Sequence, residues 1–316
     1  MEDAPKARRL RFPSSGLSKA TSHEPLWSLE TSPLDSESSI QPIAEPIPGV
    51  NGAMIIRNVL TARECNRLVR WTESLGFSSG ETLVEVPASI RANEVSLIIV
   101  DPTTAAQLSS RLSPFISKEG HGGAERCDPV FINRKWRTYR YNPPPAVDAS
   151  SGGRAPAPEA ANNTSAASAG ASFFGAHYDG PQPMSGVSAD DELLDVEPPK
   201  GVTRLSQMSV LLYLSDHTDE GCGGETIFYP SGDASNNSDN TSAVKVKPEI
   251  GSALIFYHGK HPLSPLHAGL PLTNEASGPK YVVRTDVLFA AHTSFGSEQW
   301  ESSNYVNALR FAQAHG

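Results

Sequence analysis

Phe174-Gly-Ala-His-Tyr-Asp-Gly180 reads as an extended segment in which His177 and Asp179 stand two residues apart. Side chains of a strand alternate between its faces, so these two share one face and can grip one edge of a bound ion. Far downstream, His267 lies in Pro265-Leu-His-Ala-Gly269, just before another β-rich stretch. Two imidazoles and one carboxylate, gathered from separate strands, leave the opposite side of the ion open. That donor set suits non-haem Fe(II), which must also accept a chelating cosubstrate and dioxygen. His177, Asp179 and His267 are therefore the candidate metal ligands and catalytic centre, and the reaction class they predict is oxidation.

A chain with nine histidines and 35 acidic residues contains such spacings by chance, so the order of the surrounding elements carries the argument. Leu211-Leu-Tyr-Leu-Ser215 and Gly223-Gly-Glu-Thr-Ile-Phe228 read as strands, and Gly251-Ser-Ala-Leu-Ile-Phe-Tyr257 is a further apolar run after a turn. Gly278-Pro-Lys-Tyr-Val-Val-Arg-Thr-Asp-Val-Leu-Phe289 closes the series as a strand with Lys280, Val282 and Arg284 on one face. Either cation could meet a carboxylate, Arg284 as a bidentate fork or Lys280 as a point charge. His258 and His261 compete with His267 for the third position. His258 continues an apolar strand and His261 precedes a proline in a turn, which favours His267. The helix pattern His-Glu-x-x-His and the pair Cys-x-x-Cys, signatures of zinc hydrolases and structural zinc, do not occur.

At these residues, and at Arg137-Thr-Tyr-Arg-Tyr141, the chain resembles the prolyl 4-hydroxylase-like branch of the Fe(II)/2-oxoglutarate-dependent dioxygenases. The likeness covers roughly residues 131 to 291. It implies an α+β, mainly β fold: a double-stranded β-helix, or jelly-roll, core with supporting N-terminal helices. It also implies Fe(II) on His177, Asp179 and His267, with 2-oxoglutarate as cosubstrate, its distal carboxylate on Lys280, and ascorbate as a reductant. Arg284 would share that carboxylate or serve as a structural ion-pair partner. Tyr141 and Tyr213 would line the cosubstrate pocket or belong to the aromatic core. The implied reaction hydroxylates an unactivated C–H bond, with release of succinate and CO2. Asp179 itself favours hydroxylation, since related halogenating enzymes carry a small residue there. Two departures stand out: Thr273-Asn-Glu-Ala-Ser277 lengthens the gap after the distal histidine, and a long Ala/Ser/Gly/Pro stretch separates Tyr141 from His177.

The chain has 316 residues and a formal net charge of −9, which argues against a nucleic-acid surface and its basic stripe. No apolar run approaches the ~20 residues of a membrane span. Met1-Glu-Asp-Ala-Pro-Lys-Ala-Arg-Arg-Leu-Arg-Phe12 is charged and lacks a signal-peptide core. Cys65, Cys127 and Cys222 form a sparse, odd set that reads as reduced thiols, with Cys222, among glycines, a candidate for exposure. The expected location is cytoplasmic, with the nucleus as an alternative. The expected partners are dioxygen and a protein or small-molecule substrate, not nucleic acid or membrane.

Residues 1–45, rich in Ser, Pro and Glu, read as a disordered tail. Residues 46–130 read as a support region. There Ala53-Met-Ile-Ile-Arg-Asn-Val-Leu60 is a strand, and Thr61-Ala-Arg-Glu64 is a capping box opening a helix with Cys65, Leu68, Val69, Thr72 and Leu75 on one face. Asp101-Pro102 opens a second helix with Ala105, Leu108, Leu112 and Phe115 in a stripe, and Asn93-Glu-Val-Ser-Leu-Ile-Ile-Val100 between them is a buried strand. Both helical faces should pack against the outside of the barrel. The catalytic core spans 131–295, interrupted by low-complexity inserts at Ala146–Ser172, Pro181–Lys200 and Ser231–Ser242. The first and third read as disordered. The middle one carries Asp190, Asp191, Glu192 and Asp195 directly after the metal pair, and reads as a solvated loop or as a lid attracting a basic substrate. Residues 296–316 form a C-terminal extension with a helix near Tyr305 to Ala314.

Two classes of function fit. One is an active hydroxylase acting on a prolyl or other side chain of a protein. The other is a catalytically silent relative using its groove as a peptide-binding module. A silent relative need not keep three metal ligands and a cation together, and all four are present.

Overall fold

Thr61 caps the helix α1 (Ala62–Leu75) as a reciprocal box: its hydroxyl accepts from the Glu64 N–H while the Glu64 carboxylate accepts from the Thr61 N–H. Asp101 caps α2 (Pro102–Leu112) through the N–H groups of Thr103 and Thr104, with proline in the first turn. Glu64 does more than cap. It is fully buried, receives Asp35 N–H at 2.8 Å, and pairs with Arg111 of α2 at 2.8 Å. One carboxylate thus ties the N-terminal segment and both helices together.

The computed structural model describes residues 4–11, 26–35, 40–79, 91–116, 128–145, 171–195, 202–232 and 243–292. Its strands begin with β1 (Ala7–Arg9), β2 (Leu26–Leu29), β3 (Ile43–Pro46), β4 (Met54–Arg57), β5 (Ser78–Ser79), β6 (Glu94–Ile99), β7 (Asp128–Ile132) and β8 (Lys135–Tyr141). They continue with β9 (Phe174–His177), β10 (Ser185–Val187), β11 (Leu193–Asp195), β12 (Val202–Tyr213), β13 (Thr226–Tyr229), β14 (Val244–Val246), β15 (Ala253–Tyr257), β16 (Leu266–Gly269) and β17 (Lys280–His292). The main sheet runs β1-β2-β6-β8-β17-β12-β15-β4-β3, and the smaller one β14-β13-β16-β9. Together they form the double-stranded β-helix.

Alternation along the central strands sorts residues between two cores. Trp136, Val210, Leu212, Ile255, Val283 and Val287 face the helices and pack with Cys65, Leu68, Leu108 and Leu112. Tyr139, Tyr141, Tyr213, Leu254, Phe256 and Val282 face the other way, where Phe228 of the smaller sheet meets them. The helical stripes therefore cover the outside of the large sheet, and the barrel interior is left for the site.

The stretch expected to be a disordered tail is ordered over its described residues. β1 pairs with β2, β2 runs parallel to β6, and β3 pairs with β4. The boundary expected after residue 45 falls inside β3, and β6 of the support region is hydrogen-bonded into the main sheet beside β8. Leu10, Leu26, Leu29 and Leu34 are all buried. These few leucines anchor the segment, and an average over Ser/Pro-rich composition hides them. Most of the inserts at 146–172 and 231–242, and all of the extension at 296–316, lie outside the described residues, as does Cys127. No helix among the described residues is long and apolar enough to cross a membrane.

Candidate metal centre

β9 and β16 pair antiparallel with His177 directly opposite His267, so the register alone brings the two imidazoles together, 4.4 Å apart between ring centres. Asp179 follows β9 and completes the group. Its Oδ1 lies 3.5 Å from His177 Nε2 and its Oδ2 lies 3.7 Å from His267 Nε2. The three ligating atoms all fall within 4.8 Å of one another.

Local hydrogen bonds decide which nitrogen each imidazole presents. His177 Nδ1 sits 2.7 Å from the Gly175 carbonyl and His267 Nδ1 sits 3.2 Å from the Pro265 carbonyl. A carbonyl only accepts, so each Nδ1 carries a proton, and each Nε2, the nitrogen left for a metal, faces Asp179. That is the tautomer a metal ligand requires, fixed in the manner typical of metal-bound histidines. Burial, foremost, and the neighbouring His177 push His267 down to about 3, so it is neutral at working pH. Burial works to raise the Asp179 carboxyl, but the Arg284 guanidinium beside it, foremost among the opposing causes, holds the group well below the usual carboxylate range. Two imidazole nitrogens and one ionised carboxylate fit a divalent ion. Phe174 stacks on the His177 ring at 3.7 Å and Phe256 meets the His267 ring edge-on at 4.6 Å, which locks both orientations.

The triad opens into a cleft that Tyr139, Tyr141, Thr226, Lys280 and Arg284 also line. Lys280, 1% exposed, pairs in register with Tyr141 across β8 and β17. Its ammonium lies over the Tyr141 ring, 4.0 Å from the centroid, and donates to the Gly224 carbonyl at 2.7 Å. Among the described residues no ion pair holds it, and burial pushes it down to about 7 against the longer-range pull of Glu225. Gly223-Gly224 is what lets the backbone come so close. Gly224 has φ +78°, and a Cβ there would meet Leu272 at 2.8 Å and Lys280 at 3.4 Å.

Arg284, one strand repeat away on the same face, sits differently. Its Nε lies 3.3 Å from Asp179 Oδ2 and its Nη2 donates to Asp286 Oδ1 at 3.1 Å. Of the two readings open for Arg284, the geometry is that of an ion-pair partner. Tyr213 is fully buried in the interior, its hydroxyl 2.8 Å from Thr226 Oγ1, and it is Thr226 that lines the cleft. Thr226 was visible within Gly-Gly-Glu-Thr but was not singled out. Neither competing histidine joins the triad. His258 has both ring nitrogens engaged by serine hydroxyls, and burial pushes it below its usual value. His261 stacks on Tyr257 at 3.7 Å. Cys222 is buried, not exposed, under the Glu275 carbonyl.

The acidic insert is a hairpin of β10 and β11 docked on the N-terminal segment. Arg11 N–H donates to the Asp191 carbonyl, Leu193 N–H donates to the Arg11 carbonyl, and Arg8 pairs with Asp191 at 2.7 Å. Leu193 packs with Leu10 and Leu26. The chain's own Arg8 thus answers Asp191, one of the acidic side chains of the insert. Neutralising Asp190, Asp191 and Glu192 together is expected to leave the salt dependence of substrate kcat/KM parallel to that of the wild type. Stability should fall by less than ~1 kcal/mol, as for exposed pairs. A wild-type salt dependence steeper than the variant's would restore the steering role.

Residues 164–285 match the family model of the 2OG-Fe(II) oxygenase superfamily. No curated protein matches. Among solved structures, the viral collagen prolyl hydroxylase of Paramecium Bursaria Chlorella virus-1, in complex with 2-oxoglutarate, is 18% identical with a TM-score of 0.40, covering 76% of this chain and 97% of its own. A Pseudomonas putida prolyl-4-hydroxylase is 14% identical with a TM-score of 0.39, covering 75% and 92%. HygX from Streptomyces hygroscopicus, with nickel and 2-oxoglutarate bound, is 13% identical with a TM-score of 0.40, covering 78% and 85%.

Proposed function

We propose that this chain, whose residues 164–285 match the family model of the 2OG-Fe(II) oxygenase superfamily, is a prolyl 4-hydroxylase-like enzyme that hydroxylates a side chain of a protein, a prolyl ring first. His177, Asp179 and His267 hold Fe(II), and Lys280 receives the distal carboxylate of 2-oxoglutarate. The observation that carries this is Lys280: a buried ammonium held by a carbonyl and an aromatic ring, in the same cleft as the triad and without a carboxylate partner among the described residues. An unpaired buried charge is costly. A carboxylate entering the cleft supplies the missing partner.

Iron, when bound, supplies the activation of dioxygen. The reaction balances as substrate C–H plus 2-oxoglutarate plus O2 giving substrate C–OH plus succinate plus CO2. The chain's own part is to bind and orient. Lys280 and Thr226 mark the end of the cleft where the distal carboxylate rests, Tyr141 walls it, and Arg284 holds Asp179 rather than the cosubstrate. The prolyl assignment is supported by the motif set from Arg137 to Arg284, while the fold leaves the substrate open. The test is anaerobic Fe(II) and 2-oxoglutarate binding, followed by succinate release on admission of oxygen with proline-containing peptides. Binding without oxygen-dependent succinate would leave a silent peptide-binding relative. Succinate release that no peptide stimulates or couples to hydroxylation would sink the prolyl reading alone.

A further inference from the structure

β12 and β17 pair with a register shift between Ser206 and Met208, where one extra residue enters β12. In an unbroken strand, residues three apart point to opposite faces. A bulge of one residue restores them to the same face, and bulges beside active sites re-aim side chains in this way. Ser206 and Ser209 therefore both look into the interior, and His258, just beyond the end of β15, lies between them. Its Nε2 is 2.9 Å from Ser206 Oγ and its Nδ1 is 2.9 Å from Ser209 Oγ. All three side chains are buried.

The direction of each proton follows from the ends of the chain. Ser209 Oγ lies 2.6 Å from Asp179 Oδ2, and an ionised carboxylate only accepts, so Ser209 donates to it. Ser209 must then accept from His258, which places the imidazole proton on Nδ1. His258 Nε2 is left as an acceptor, so Ser206 donates to it, and Ser206 in turn accepts from the Gln182 N–H at 2.6 Å. Every proton points the same way, from the backbone of the segment after Asp179 through Ser206, His258 and Ser209 to Asp179 Oδ2. Arg284 Nε faces the same oxygen. Oδ2 is thus occupied from behind by the Ser209 hydroxyl and the Arg284 guanidinium, whereas Oδ1 faces His177 Nε2 at 3.5 Å.

We propose that Ser209 and His258 are positioning residues for the metal carboxylate: the directed chain through His258 orients the Ser209 hydroxyl, which pins Asp179 Oδ2 and presents Oδ1 to the ion. This rests on the triad's being the metal site. It gives a role to the histidine whose sequence position made it a rival ligand. Partners of this kind are worth tenfold to a hundredfold in metal affinity.

The experiment titrates anaerobic apoprotein with Co(II) and records its ligand-field absorption, which reports ligand geometry. The proteins are wild type, Ser209→Ala, His258→Leu and His258→Asn, each first checked by thermal melting. Ser209→Ala and His258→Leu are expected to bind about ten- to a hundredfold more weakly, with an altered ligand-field spectrum. His258→Asn, whose amide can offer an N–H where Nδ1–H stood, should recover most of what His258→Leu loses. Wild-type affinity and spectrum in Ser209→Ala would overturn the proposal, as would equal losses in the Leu and Asn variants. A wild type that binds no Co(II) would instead refute the metal site on which the proposal depends.

Discussion

Alanine at His177, Asp179 or His267 is expected to abolish oxygen-dependent succinate release and to weaken Fe(II) or Co(II) binding by more than about a hundredfold, beyond what loss of a supporting partner costs. The three substitutions should differ in what they do to the fold. Each histidine loses a ring whose hydrogen bond among the described residues is to one backbone carbonyl, so the protein without metal should melt nearer the wild type than Asp179→Ala does. Asp179→Ala removes the acceptor of Ser209 and one of the two carboxylates around Arg284. It leaves a buried guanidinium short of a partner, a class of change that costs roughly 3–5 kcal/mol when no other charge compensates. Asp286 compensates in part, so Asp179→Ala should be the least stable of the three by a smaller margin. Calorimetry of the metal-free proteins and metal titration of each test this. Full metal affinity in His267→Ala would remove that residue from the site.

What the sequence made legible was local. The capping box at Thr61 and the Asp101-Pro102 start could be read because each involves neighbours within one turn, and both helices begin where those signals stand. The inward face of Lys280, Val282 and Arg284 was legible because β17 keeps its alternation through that stretch. Three features were not legible, each for a physical reason. The N-terminal strands depend on a few leucines whose partners, such as Leu97 and Leu193, lie far along the chain. The pairing of Arg284 with Asp179 joins β17 of the main sheet to the segment after β9 of the smaller one, so strand alternation alone allowed Arg284 and Lys280 the same role. The Ser206–His258–Ser209 chain depends on a bulge. In sequence, Ser-Gln-Met-Ser sets the two hydroxyls on opposite faces, and only the pairing of β12 with β17 shows the extra residue.

Replacing Lys280 by alanine is expected to raise the 2-oxoglutarate requirement about ten- to a hundredfold, the loss of a charge-assisted contact worth roughly 1.5–3 kcal/mol. The wild type should show a dependence on pH that the variant lacks. In the empty protein burial holds Lys280 at about 7, against an ordinary value of 10.5. Between those two values the folded chain has released a proton that the unfolded chain keeps. The empty protein therefore gains stability as pH rises through that window, and below it the buried charge is a constant burden. A bound dicarboxylate reverses the preference, because the ammonium is then paired and holds its proton. Affinity for 2-oxoglutarate should accordingly be flat below about 7 and fall about tenfold per pH unit above it, with up to one proton taken up on binding. Titration calorimetry in buffers of different ionisation enthalpy counts that proton. A wild-type affinity independent of pH between 7 and 9, or an unchanged requirement in Lys280→Ala beside a large one in Arg284→Ala, would move the carboxylate from the lysine to the arginine. In that case Asp179 would have to share its cation with the cosubstrate, and the ion pair between Arg284 and Asp179 would break on binding.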